Sequence, residues 1–272
     1  MAGIDTLLND VKDTLNRGKT IDGYDHKAKK RYHEPALDTD SGEFHKVVES
    51  RRSVRKFTSK PIPRPVLDAC LDLAMQAPSS CNLQPWEFHV VQSADKKQKL
   101  VEACMSQNAA KTAAELIVVV ARTKNWGKVA KLNITDWPQK TMPRHWKNFY
   151  TGGVPLTYWQ GPFYSVGHAK KMATRIAGLF TPVPRGPFTK SDMRVWAVKS
   201  VALAAENLML ALRSYGFDSC PMEGMDEKRV RKLLKLPSDA EVVMVIGAGE
   251  RAEDGVYFPK VMFDRENFVR YV

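Results

Sequence analysis

The sequence predicts an α+β fold, because it combines helices with separate, strongly apolar strands. Apolar residues recur at steps of three and four over residues 195–215, which is typical of a long buried helix. The uninterrupted apolar run 117–121, and the segment 241–247, which is apolar after Glu241, are typical of buried strands. With 272 residues, 43% of them hydrophobic and 26% charged, the chain has the composition of a soluble globular protein. It is long enough for one large domain, or for one domain with an insertion.

The first half of the chain contains a polar arm followed by alternating helices and strands. We expect the arm, residues 1–45, to wrap a partner subunit or to stay partly mobile, with a first helix over 4–15. Pro63 and Pro65 are start signals for a helix over 66–75. The same patterns predict a helix over 44–50, a strand over 88–91, a helix over 100–114 and the strand over 117–121.

The segment 122–195 is predicted to be an insert of short helices, such as 169–179, joined by irregular loops. It has seven prolines and weak periodicity. It holds 13 Lys/Arg against 2 Asp/Glu, a net +11 of the chain's +12, and four of the six tryptophans. Such a segment can be a solvated basic surface, or a basic aromatic lid or docking face for an anionic or planar partner.

The remaining elements follow the insert. The helix over 195–215 is followed by Gly216, a residue type common just after a helix. Much of its circumference is apolar, as expected of a central or dimer-interface helix. We predict a loop over 220–226, a short basic helix over 228–236, the strand over 241–247 and a last strand over 268–272.

The connection between helix 66–75 and strand 88–91 is rich in hydrogen-bonding side chains. Pro78 and Pro85 fix its backbone at either end. A rigid loop of amides and hydroxyls suits a planar ligand such as a flavin ring, although a helix end with ordinary turn-forming residues has the same composition. The donors and acceptors are Ser79, Ser80, Asn82 and Gln84.

A second candidate site is the basic cluster over 51–56, which holds four Lys/Arg and one Ser. Arg guanidinium groups offer planar, bidentate donors, so this cluster can close on a phosphate. A solvated charge run is the alternative, and it is the more common meaning of such a cluster.

Four separated motifs, in their order and spacing, resemble those of the FMN-dependent nitroreductase family. The resemblance covers about residues 46–121 and 195–268. Its motifs are the phosphate-binding segment R-R-S-V-R at 51–55, the flavin loop P-S-S-x-N-x-Q-P-W at 78–86, Asn108 with Lys111, and the P-M-E-G-M-D loop at 221–226.

The resemblance implies an architecture as well as a cofactor. A central, mostly antiparallel sheet flanked by helices would form an intertwined homodimer, with FMN at the subunit interface. The FMN-binding domain would span 46–272, and the basic, aromatic-rich insert at about 122–195 would act as a lid. The arm, 1–45, has no counterpart in the resemblance.

A role for each matching residue is also implied. The phosphate and ribityl chain would be held by Arg51, Ser53, Arg55 and Lys260, with the backbone of Arg52. Met262 stands where the family often has an arginine, which removes one possible charge. The partner subunit would line the flavin ring with Pro78, Ser79, Ser80 and Asn82, while Asn108 and Lys111 would lie beside it. The other face would be covered by Pro221, Met222, Glu223, whose N–H would lie near flavin N5, and Gly224.

The family's activity would be a ping-pong cycle. NAD(P)H would reduce FMN, and the flavin would reduce a nitroaromatic, a quinone or a similar planar acceptor by two electrons. Hydride passes through N5, so no catalytic side chain is expected, and Lys111 near the N1/O2 edge would stabilise the anionic hydroquinone. Reductive dehalogenation and dehydrogenation use the same flavin chemistry and stay open.

The insert offers candidates for substrate contact. Lys170, Lys171 and Arg175 could meet the phosphates of NAD(P)H. Equally, aromatics and lysines together could lie at a membrane surface and admit a quinone. The aromatic candidates for acceptor contact are Phe149 and Tyr150 and, above all, Tyr158, Trp159, Phe163 and Tyr164.

A function of another class is a basic module that binds nucleic acid or a membrane surface without redox activity. It would explain the charge of the insert but not four motifs in order, so we expect no nucleic-acid partner. No apolar run approaches the roughly 20 residues of a membrane span, although peripheral membrane contact stays open. The N-terminus lacks a signal-peptide layout, and four scattered cysteines predict reduced thiols in a cytoplasmic protein. The six histidines lack ligand spacing, so no metal is expected, and His89 is predicted to face solvent.

Overall fold

A four-stranded antiparallel sheet lies at the centre of the computed structural model, which describes residues 34–272. The predicted helix over 4–15 and most of the arm lie outside the described residues. The strand order across the sheet is β1-β2-β4-β3. The strands are β1 (Trp86–Val90), β2 (Glu115–Arg122), β3 (Asp218–Met222) and β4 (Ala240–Gly249).

Helices cover both faces of this sheet, so the α+β prediction is confirmed. Short 3₁₀ turns at Ser80–Asn82, Pro162–Tyr164 and Arg265–Asn267, and a π turn at Phe149–Gly153, complete the described elements. The α-helices are α1 (Ser41–Ser50), α2 (Arg64–Met75), α3 (Ala94–Ala103), α4 (Asn108–Thr112), α5 (Trp126–Thr135), α6 (Arg144–Asn148), α7 (Val154–Tyr158), α8 (Ser165–Ala177), α9 (Lys190–Ser214) and α10 (Glu227–Leu234).

Strand β2 divides the core into two layers, because successive side chains point to opposite faces of the sheet. Ile117 and Val119 pack into the layer that contains α2 and α9. Leu116 and Val118 pack into the opposite layer, with residues of α3, α4 and α10. The continuous apolar run therefore marks a strand buried on both faces, as predicted.

The central helix α9 is 25 residues long and packs against the sheet and α2. It begins five residues earlier than predicted, because Thr189 and Asp192 form a capping box. It ends at Ser214, and Gly216 follows with φ +84°, as the predicted helix stop requires. Among the described residues, α9 alone has the length and hydropathy of a membrane span, but its packing makes it a core helix.

Three predicted elements are wrong in detail. The helix expected over 100–114 is broken into α3 and α4, because Met105 and Ser106 adopt positive φ angles of 57° and 52°. The loop expected over 220–226 begins only after Met222, because residues 218–222 pair with the free edge of β4 as strand β3. The strand expected over 268–272 is absent; its side chains are exposed and pair with no strand.

Candidate functional site

A basic cavity of about 690 Å³ lies where residues 51–55 leave helix α1. Its lining contains four cations and no carboxylate. Between the charges it is lined by amide and hydroxyl groups of Gln107, Asn108 and Tyr257. The four cations are Arg51, Arg52, Arg55 and Lys260, and Ser53 lies among them.

The backbone of segment 51–55 is fixed by hydrogen bonds to the sheet and to the C-terminal region. Val54 N–H donates to the Ser219 carbonyl in β3 at 3.1 Å, and Arg55 N–H donates to the Gly255 carbonyl at 2.7 Å. Val54 is fully buried, while Ser53 and Arg55 are exposed on the cavity side. An extended backbone thus places alternate polar residues towards the cavity.

The cations of the cavity differ in the hydrogen bonds and ion pairs that they already form within the protein. Arg52 donates to the Phe258 carbonyl, and Lys260 Nζ donates to the Glu49 carbonyl at 3.2 Å. Arg51 Nε lies 3.7 Å from Glu206, a long ion pair. Arg55 has no ion pair with any carboxylate in the described part of the chain. The cavity therefore holds positive charge that only an anion can compensate, which fits a phosphate group.

Helix α4 connects this cavity to the loop after β3. Gln107 Nε2 donates to the Gly224 carbonyl at 2.8 Å, and Asn108 Nδ2 donates to Tyr257 Oη at 2.9 Å. Sequence reasoning missed Gln107 and Tyr257, although Gln107 directly precedes the predicted Asn108. Lys111 lies one turn further along α4, exposed and outside the cavity lining.

The loop residues predicted to cover a flavin ring lie at the end of β3. Pro221 and Met222 belong to the strand itself, and the Met222 side chain is buried in the core. Met222 can therefore offer a ligand only its backbone. Glu223 and Gly224 follow as exposed residues, and the bond from Gln107 holds their position.

A second cavity, of about 710 Å³, lies between the loop after α2 and the N-terminal half of α9. Pro78, Ser79 and Ser80 line it, and their contact with a flavin ring stays a prediction. Asn82 does not line it, because its side chain donates to Asn133 Oδ1 of α5 at 2.7 Å. Apart from Tyr158, the remaining lining comes from residues that were not candidates, including Cys81, Arg185, Trp196, Lys199 and Ser200.

Tyr158 supports this loop and is not a free aromatic face. Its hydroxyl lies 3.0 Å from Ser80 Oγ, and its ring centroid lies 4.8 Å from that of Trp196. Burial raises the pKa of Tyr158 above its ordinary value, so the phenol stays neutral. Tyr158 is 2% exposed and lines the second cavity only at its edge with the loop.

The other candidates for substrate contact lie elsewhere. Trp159, Phe163 and Tyr164 line neither cavity, and Phe163 is 98% exposed. Lys170 Nζ donates to the carbonyls of Leu156, Thr157 and Trp159 at 2.6–3.3 Å, and burial lowers its pKa. Lys170 therefore anchors α8 to α7 and is not available for a cofactor phosphate.

The two cavities are separate within one chain. Segment 51–55 borders β3, whereas loop 78–85 leads into β1 at the opposite edge of the sheet. No residue lines both cavities, although Glu206, which Arg51 approaches, follows Leu203 of the second cavity by three residues on α9.

Thiol and imidazole groups take no part in either cavity beyond Cys81. All four cysteines are free, and burial raises the pKa values of Cys70 and Cys104 to about 11. His89 is half-buried and hydrogen-bonded to Glu87 at 3.2 Å, so it faces solvent only in part. The described residues contain no His/Cys/Asp/Glu group that could hold a metal ion.

An anion cavity and an amide-rich loop on an α+β scaffold suit a ligand that carries a phosphate group and a planar ring. The chain belongs to the nitroreductase family, whose model it matches over residues 48–250. It is 30% identical to protein DrgA of Synechocystis over 67% of this chain and 71% of DrgA. It is 29% identical to an NADH dehydrogenase of Thermus thermophilus, over 75% of this chain and 85% of that protein. The fold matches the crystal structure of an Exiguobacterium sibiricum protein in complex with FMN, with a TM-score of 0.60, 22% identity, and coverage of 88% of this chain and 99% of that one.

Proposed function

We propose that this protein is an FMN-dependent oxidoreductase that takes hydride from NAD(P)H and reduces a planar acceptor, such as a nitroaromatic or a quinone, by two electrons. The observation that carries the proposal is the cavity lined by four cations without a carboxylate. The names of its relatives, an NADH dehydrogenase among them, agree with this activity.

Within this proposal the chain's own residues bind and orient the cofactor. Arg55, Arg51 and Ser53 would hold the phosphate, and Lys260 would support them from the C-terminal segment. Bound FMN supplies hydride transfer at N5 of its ring. Residues Glu223 and Gly224 would contact the ring through a loop that Gln107 holds in place. Lys111, on the same helix as Asn108, would supply a cation at the ring edge.

We further propose that two copies of the chain complete each cofactor site. The basic cavity and the cavity lined by Pro78, Ser79 and Ser80 share no residue within one chain, which supports a ligand that meets them across two subunits. Exposed apolar side chains support an interface. Val195 and Leu203 lie on the open side of α9, and Phe258, Val261 and Phe263 lie in the C-terminal segment.

A reductive dehalogenase or a dehydrogenase would use the same cavity, so the acceptor must be found by assay. A basic binding module without redox activity is the less favoured function, because family membership and the cation-lined cavity both point to a flavoenzyme.

The deciding experiment is a visible absorption spectrum of the purified protein, followed by anaerobic addition of NADH and then NADPH. Flavin bands that bleach with one of them would support the proposal and identify the donor. Bands that persist would show that the protein binds a flavin but that neither NADH nor NADPH reduces it. A colourless protein that takes up no added FMN would overturn the proposal.

A further inference from the structure

We propose that the outer face of helix α8 is a docking surface for an anionic lipid membrane. We define this outer face as Met172 and Ile176 of α8 together with Leu179 and Phe180 of the turn that follows it, flanked by Lys171 and Arg175. This inference concerns the location of the protein and does not depend on the redox activity proposed above.

The inner face of α8 fixes which side of the helix faces outwards. Lys170 binds the carbonyl groups that end α7, through three hydrogen bonds. At Gly167 the helix approaches the Phe188 carbonyl so closely that an added Cβ would lie 1.9 Å from it. These contacts leave the helix no freedom to turn its other side inwards.

The side of α8 that faces away from the protein is apolar. Met172, Ile176, Leu179 and Phe180 are 58%, 57%, 79% and 84% exposed. Met172 and Ile176 lie one helical turn apart on the same side of α8, and Leu179 and Phe180 lie in the turn directly after the helix. Several large exposed apolar side chains so close in the chain are typical of an interaction site.

The charged residues around these apolar side chains indicate which kind of partner they could bind. No Asp or Glu occurs between Asp136 and Asp192, a segment that carries eight Lys/Arg. Asp192 accepts the N–H groups of Phe188 and Thr189 and so caps α9. Neither Lys171 nor Arg175 forms an ion pair among the described residues, although the charge of Lys171 acts on Asp192. Both are exposed and adjacent in sequence to the apolar side chains of α8.

An apolar face flanked by cations fits the boundary between the headgroups and acyl chains of an anionic membrane. The same face on a second copy would bring like charges together, which disfavours a contact between two such faces. A membrane location would also place the protein beside a lipid-soluble acceptor, such as a quinone.

The test is co-sedimentation of the full chain, as purified, with vesicles. Vesicles of phosphatidylglycerol mixed with phosphatidylcholine are compared with phosphatidylcholine alone. Removal of two charges in K171Q/R175Q should weaken binding to the anionic vesicles about 30-fold. The apolar change I176N/F180S should weaken it about tenfold. K96Q/K99Q removes two exposed charges from α3 and should leave binding unchanged.

Several outcomes would overturn the proposal. One is failure of the unaltered protein to bind anionic vesicles at low salt. Another is equal loss in K96Q/K99Q, which would mean that net charge alone attracts the protein. A third is a changed sedimentation coefficient of I176N/F180S with vesicle binding intact, which would make the face a contact between copies. Circular dichroism of each variant separates these results from misfolding.

Discussion

The charge of Arg55 should dominate cofactor affinity, and this expectation can be worked out from the structure. Replacement of Arg55 by Ala removes the one arginine of the basic cavity whose guanidinium has neither a hydrogen bond nor an ion pair among the described residues. A hydrogen bond between charged groups contributes about 1.5–3 kcal/mol. FMN should therefore bind about 10- to 150-fold more weakly to the R55A variant.

Replacement of Arg51 by Ala should have a smaller effect. Arg51 lies 3.7 Å from Glu206, with side chains 28% and 48% exposed. A pair of that exposure contributes about 0–1 kcal/mol, and it must be given up when a phosphate binds. The loss of affinity in R51A should thus fall below that in R55A by a factor of up to about 5.

The assay is titration of flavin-free protein with FMN, followed by quenching of flavin fluorescence. R64A is the matched control, because Arg64 pairs only with Asp68 on the surface of α2 and lines neither cavity. Unchanged affinity in R55A, or an equal loss in R64A, would refute the phosphate assignment. A thermal melt of each flavin-free variant shows whether the fold is intact.

Three other variants test the surroundings of the two cavities. Asp218 is 2% exposed and paired with two arginines, so D218A should lower the free energy of unfolding by about 3–5 kcal/mol, measured by urea denaturation. Y158F should weaken FMN binding less than tenfold, because it removes one hydrogen bond to Ser80 worth about 1 kcal/mol and keeps the ring. Burial favours the neutral form of Asp239, but hydrogen bonds and the charge of Arg122 outweigh it and lower its pKa. The stabilisation that the Asp239 carboxylate supplies is fully present above its pKa in the unfolded chain, and it is lost as pH falls through its pKa in the folded protein. Between pH 5 and pH 3, the free energy of unfolding measured by urea denaturation should therefore depend less on pH in D239N than in the unaltered protein.

Two of the strands could be predicted because their side chains are buried along most of their length. Strands β2 and β4 are apolar runs because helices cover both faces of the sheet. Strand β3 could not be predicted, because it contains Asp218 and Pro221, and both residue types are uncommon in strands. Its carboxylate is buried only because arginines distant in the sequence bind it. The break between α3 and α4 contains neither Gly nor Pro, so the residue types carried no stop signal.

The candidate site was predictable where residues act from a local backbone. Arg51, Ser53 and Arg55 reach one cavity because an extended segment alternates its side chains. The roles of Gln107 and Tyr257 depend on partners more than one hundred residues away, so no local pattern could indicate them. The presence of several aromatic residues in the insert also did not indicate which rings are buried and which are exposed.

Most of the positive charge of the insert lies away from both cavities. All four cations of the basic cavity come from outside residues 122–195. Within the insert, Arg122 pairs with Glu87 and Asp239, and Arg194 pairs with Glu241. The basic cavity thus accounts for none of the net +11 in that segment, and the second cavity is lined by only one of its cations, Arg185. A partner that meets Lys171 and Arg175 would account for the cations beside exposed apolar side chains.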